Sequence, residues 1–197
     1  MTGERGVVLT DPRTHPDEIL VSHLFVAPGG RVAAPHFHPG LEERFLILEG
    51  QVGFLIDGQE RTLGPGETAT VPADAVHDWW QVGEVEAQAL VEVSPGRRFI
   101  EIVGTLFGLA RDGKVNPEGM PGPLQLAVMG HEYRDVIGFT EPPPVVQRIV
   151  TPPLAALGRM RGYKPFHPEY VEDTELVDPD PAALAELSED GRLRPFD

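Results

Sequence analysis

The sequence predicts a mainly β chain, an antiparallel sandwich or barrel followed by a helical C-terminal extension. Three observations predict it. From Val7 to about Val93, short runs rich in β-branched and aromatic residues recur, with Gly, Pro and Asp punctuating them at roughly ten-residue spacing. No helical period crosses that stretch. After Ser94-Pro95-Gly96 the pattern changes to apolar residues three or four apart.

The elements follow in order. Ile19–Ala27, Phe45–Leu48, Val52–Ile56 and Ala87–Val93 read as strands. Asp57-Gly58 is a hairpin signal, because both positions of a tight two-residue turn must tolerate positive φ. Glu49-Gly50 marks another turn. Phe45-Leu-Ile-Leu is apolar on both faces, as a strand between two layers should be. Ile100–Arg111 has a helical rhythm closed by Asp112-Gly113, and Pro123–Val136 a similar one. Pro142-Pro-Pro144 is a stiff connector. Val145–Tyr163 reads as one or two helices, with Thr151 capping and Pro152-Pro153 opening the second. These signals divide the chain into a barrel over 1–99, a helical extension over 100–168 and an acidic tail over 169–197.

Composition excludes several function classes. The 197 residues carry 16 Lys and Arg against 31 Asp and Glu, a net charge of −15. Acidity on that scale repels nucleic acid and anionic membrane. With no Cys, thiolate metal sites, Fe–S clusters, disulfides and thiol catalysis are excluded. No apolar run is long enough to span a bilayer, and Met1-Thr-Gly-Glu-Arg opens no signal segment, so a cytoplasmic location is the expectation. Much of the charge sits in the tail, where Asp180 can cap a short helix begun by Pro181; the tail as a whole reads as solvated or loosely docked.

Seven histidines are present, and His36, His38 and His77 fall in the β region near Glu43. His36 and His38 are two apart and share one face of a strand. Glu43 shares a face with Phe45 and Ile47, the barrel interior, and His77 opens Val76–Val82 with Trp79 and Gln81 on its own side. A buried, uncompensated carboxylate is expensive, and a divalent cation among three imidazoles would offset that cost. Such a donor set accepts Fe(II), Mn(II), Zn(II), Ni(II), Cu(II) or Co(II) alike. Two surface histidines and a solvated carboxylate would produce the same local pattern.

The wider pattern resembles the cupin superfamily. Gly30, His36, His38, Glu43 and Gly50 satisfy its first motif, Gly-x5-His-x-His-x3,4-Glu-x6-Gly, and Gly66, Pro72 and His77 follow its second, with Asp74 in place of a Gly and Gln81 in place of an Asn. The spacing to Gly50 selects Glu43 over Glu42. The resemblance implies a jelly-roll β-barrel with one divalent metal held by His36, His38, Glu43 and His77. It also implies a small-molecule ligand and a homodimer, the latter because exposed apolar helix faces need a partner.

The chemistry stays open at this point. An O₂-using oxidoreductase of dioxygenase type, with Glu43 doubling as a base, leads. A metal-dependent isomerase or decarboxylase and a non-catalytic binding or sensing module stand beside it. Trp79 is either core packing or an aromatic wall for the substrate, which Phe25, Phe45 and Gln81 could join.

Overall fold

The computed structural model describes residues 3–32, 34–172 and 178–195. Two five-stranded antiparallel sheets enclose one core. The first orders as β1-β2-β9-β4-β7, from β1 (Glu4–Thr10), β2 (Leu20–Val26), β9 (Ala87–Ser94), β4 (Glu42–Glu49) and β7 (Thr68–Val71). The second orders as β10-β3-β8-β5-β6, from β10 (Gly138–Phe139), β3 (His36–Phe37), β8 (His77–Val82), β5 (Gln51–Ile56) and β6 (Gln59–Leu63). Strand alternation sends Val26, Phe45, Ile47, Val91 and Val93 of one sheet inward against Val52, Phe54, Leu63 and Trp79 of the other. The Asp57-Gly58 hairpin joins β5 to β6, with φ of 46° and 79° at its two central residues.

Among the described residues, five helices follow β9. Helix α1 (Arg97–Arg111) starts three residues earlier than the apolar rhythm indicated and buries Ile100, Ile102 and Leu109. Helix α2 is shorter than expected, Pro123–Glu132 rather than through Val136. The chain then turns at Tyr133 and supplies β10, a two-residue strand beyond the expected helix for which the sequence carried no expectation. Helix α3 (Pro144–Met160) is continuous, so Thr151 caps nothing and Pro152-Pro153 lie inside it. The carbonyls those prolines leave without donors belong to Arg148 and Ile149, both exposed, where water can take the missing bonds. The short α4 (Pro168–Glu172) packs on α1, with the Tyr170 ring against Gly108.

The tail is better anchored than its charge suggested. Helix α5 (Pro181–Ala185) is capped by Asp180, whose carboxylate accepts from the Ala182 amide at 2.9 Å. Ala183 and Leu193 are buried with Ile19, Val21 and Leu90 on the outer side of the first sheet. The Leu193 amide donates to the buried Glu92 carboxylate at 2.7 Å. The loose docking expected of 169–197 is therefore corrected for 178–195, because apolar burial outweighs charge there; 173–177 and 196–197 lie outside the described residues. Among the described residues, no helix is long and apolar enough to cross a membrane.

Candidate metal centre

Antiparallel pairing brings the four candidate ligands together. His36 on β3 lies directly opposite His77 on β8, and Glu43 on β4 faces them from the other sheet. His38 follows just after β3. One ligand atom from each of His36, His38, Glu43 and His77 falls within 4.8 Å of the other three, and all four residues are buried. Asp74, standing where the motif has Gly, takes φ of 66°, a left-handed geometry that Asp tolerates, and its amide donates to the His38 carbonyl at 3.0 Å.

Each imidazole is held by its far nitrogen. The Nδ1 of His36 reaches the Ala34 carbonyl at 2.9 Å, that of His38 the Val136 carbonyl at 2.8 Å, and that of His77 the Ala75 carbonyl at 3.1 Å. A carbonyl only accepts, so each Nδ1 carries the proton and each Nε2 is left to turn its lone pair into the cluster. Metal-ligating histidines are oriented in this way.

The remaining atoms pose an electrostatic problem. Glu43 Oε2 lies 3.0 Å from His77 Nε2 and 3.6 Å from His38 Nε2, yet all three buried atoms lack a hydrogen-bond partner. Orphaned buried polar atoms are costly, and here they converge on one point. Without a cation, burial pushes the Glu43 carboxyl up, but His38 and His77 outweigh it and hold Glu43 at about 2. Burial, followed by His77, lowers His36 to about 4, and burial also lowers His38. His77 is raised, because Glu43 overcomes the opposing effect of burial. Three Nε2 lone pairs and one carboxylate oxygen form a donor set that fits a divalent transition ion without further rearrangement of side-chain identity.

Residues 22–93 match the Cupin domain family. The barrel is a cupin domain. Its cupin relatives include germin-like protein subfamily T member 2 of Arabidopsis thaliana, 35% identical over 109 residues, which cover 51% of this chain and 48% of that protein. Quercetin 2,3-dioxygenase of Bacillus subtilis (strain 168) is 36% identical over 81 residues, 40% of this chain and 23% of that protein. Polyketide synthase CurC of Streptomyces cyaneus is 32% identical over 93 residues, 47% of this chain and 60% of that protein. The chain spans about half the length of the germin-like and oxalate oxidase relatives it matches.

The pocket candidates of this cupin divide. Phe45 and Trp79 point inward but are buried in the core, Phe45 edge-to-face on Phe54 at 5.0 Å. Gln81 is consumed structurally, accepting from the Gly29 amide and donating to the carbonyls of Val82, Gly83 and Val85. Phe25 is on the wrong face. Inward positions on β2 belong to Leu20, Leu24 and Val26, and Phe25 stacks outside on His23 at 4.1 Å under the Arg5 guanidinium. Of the remaining histidines, His15 bonds the Asp190 carbonyl and His167 the Glu169 carboxylate, away from the cluster.

Two aromatic residues at the cluster went unnoticed in the sequence. Phe99 of α1 meets the His38 ring edge-to-face at 5.4 Å, and Phe139 of β10 lies 6.4 Å from the His36 ring. Both belong to segments beyond the motifs. The only available signal for Phe139 was the short apolar run Ile137-Gly-Phe139 after a helix.

Proposed function

We propose that this cupin is a divalent-metal enzyme that oxidises a small organic molecule with O₂. The observation that carries the reading is the convergence of His36, His38, Glu43 and His77 on one point with orphaned donor atoms turned toward it. The relatives named a quercetin dioxygenase and oxalate oxidases support the choice of redox chemistry. A divalent ion held by His36, His38, Glu43 and His77 would supply Lewis acidity there and, if redox-active, electron transfer between substrate and O₂.

The chain's own residues do the rest. His36, His38 and His77 offer their Nε2 atoms from rings fixed by main-chain carbonyls, so little reorganisation is needed. Glu43 stays ionised and offsets the cation's charge. It is also the assigned base, because among the described residues it is the one carboxylate whose oxygen reaches the cluster, and withdrawal of Oε2 would let it take a substrate proton. Phe99 and Phe139 exclude water from the His38 and His36 side.

Anaerobic loading with Fe(II) or Mn(II), then O₂ uptake against catechols, flavonols and diketones, tests the reading. Uptake dependent on metal and on one of these substrates is expected. No uptake with any of them at full metal occupancy would count against it. The same donor set also suits a second reading, metal-assisted isomerisation or decarboxylation without redox change. Turnover under nitrogen would select that one.

A further inference from the structure

We propose that the outward face of α3 is the surface through which two copies of this chain pair, antiparallel and about a twofold axis between Pro152 and Pro153. The inference goes beyond the reading of the metal centre and stands without it.

Helix α3 turns its apolar side to solvent. At about 100° per residue, Val145, Val146, Ile149, Val150, Leu157 and Met160 fall on one arc of about 140°. The opposite side carries Ala155 and Gly158, both buried against α2, where a Cβ on Gly158 would come within 2.6 Å of Val128. Val145, Ile149 and Met160 are 65%, 70% and 84% exposed, and half of the exposed large apolar residues among those described lie on this one helix. Scattered exposed apolar residues are ordinary, but a continuous stripe about 23 Å long marks an interaction surface. The six side chains leave on the order of 600 Å² uncovered, most of the ~800 Å² that each partner buries in a standard-size interface. Pro152, Pro153 and Ala156, also exposed, extend it.

Charge favours a second copy in one orientation. Helix α3 carries Arg148 and Arg159 beside the stripe and no acidic residue, in a chain of net charge −15. Two such acidic chains repel each other, and they repel least where this helix meets its like. Glu141 precedes the helix, and Arg161 and Lys164 follow it. An antiparallel pair sets the acidic end of each copy beside the basic end of the other, whereas a parallel pair sets like charge against like. On the flank, Arg148 comes near Arg159 of the second copy, where Glu132, already 3.0 Å from Arg159, offsets the added cation.

The order of side-chain sizes fits the same axis. Pro152, Pro153 and Ala156 sit mid-stripe between larger residues. In a register centred between 152 and 153, Val145 meets Met160 and Ile149 meets Ala156. Large side chains then close the ends while the middle lets the helices approach. A lipid surface gains nothing from that order.

Sedimentation velocity tests the inference. The wild-type chain at micromolar concentration should run at twice the chain mass. Ile149→Glu places its charge in solvent on the monomer but inside the paired face, so association should weaken at least ~100-fold with circular dichroism unchanged. Val85→Glu, at an exposed position between β8 and β9, should leave the dimer intact. The chain has no Cys, so single cysteines report the register. Oxidation of mixed Val145→Cys and Met160→Cys chains should cross-link unlike chains in preference to like ones. A monomeric wild type, a dimer that survives Ile149→Glu, or preferential cross-linking of like positions overturns the inference. So does a monomer that floats with phosphatidylglycerol vesicles and loses them with Ile149→Glu, which would give the face to a lipid surface.

Discussion

His38 Nδ1 donates to the Val136 carbonyl across 2.8 Å, joining residues 98 positions apart. One is a candidate ligand of the barrel, and the other belongs to the strap after α2. The metal centre is therefore not a property of the barrel alone. Replacing 134–140 by a Gly/Ser linker of equal length should lower metal affinity about 10- to 100-fold, the usual loss when the group orienting a ligand is removed. Competition with a chromophoric chelator measures it. Unchanged affinity would mean that the barrel orients His38 unaided.

Glu43 is buried with Oε2 against two imidazoles. Glu43→Gln removes the anion that compensates the cation, and metal affinity should fall at least ~10-fold. The metal-free variant should fold at neutral pH, because no buried carboxylate is then left to be compensated. Chelator competition together with circular dichroism separates these effects; a variant with full affinity would show that Glu43 is not a ligand.

Stability of the metal-free protein should depend on pH in a stated direction. Glu43 sits at about 2 rather than 4.5, so its contribution is present above 4.5 and is lost as pH falls through about 2. His36 is lowered from 6.5 to about 4, so between those values the unfolded chain binds a proton that the folded chain refuses, and stability falls as pH falls. His77 acts in the opposite sense: its folded value is raised, and its contribution is fully present below 6.5 and lost as pH rises through the higher folded value. Metal loading should displace the His77 proton. Calorimetric titration in two buffers of different ionisation enthalpy counts it, and identical heats in both would contradict the assignment.

Leu193 is 2% exposed and packs with Ala183 against the outer side of the first sheet. Leu193→Ala should cost about 2–5 kcal/mol. Urea denaturation reads it. A loss of under about 0.5 kcal/mol, the scale of an ordinary surface change, would return the tail to loose docking.

The ligand set was legible because it is local. Two histidines on one strand face, a carboxylate seven residues after the first of them and a third histidine at the head of another strand all follow from spacing. The hairpin at Asp57-Gly58 was legible for the same reason. What failed was non-local. Phe25 has the composition of a pocket residue, but β2 register turns it outward, and one residue decides the face. Phe99 and Phe139 reach the cluster only through the packing of α1 and the pairing of β10 with β3. Pro152-Pro153 carry a local helix-breaking signal that an exposed position on α3 overrides.

Metal stoichiometry tests the central claim most directly. Purified protein dialysed against micromolar Fe(II), Mn(II), Zn(II) or Co(II) should retain one ion per chain by elemental analysis. The His36→Ala/His77→Ala double variant should retain none. A wild-type chain that retains no ion, or a double variant that retains as much as wild type, would contradict the account.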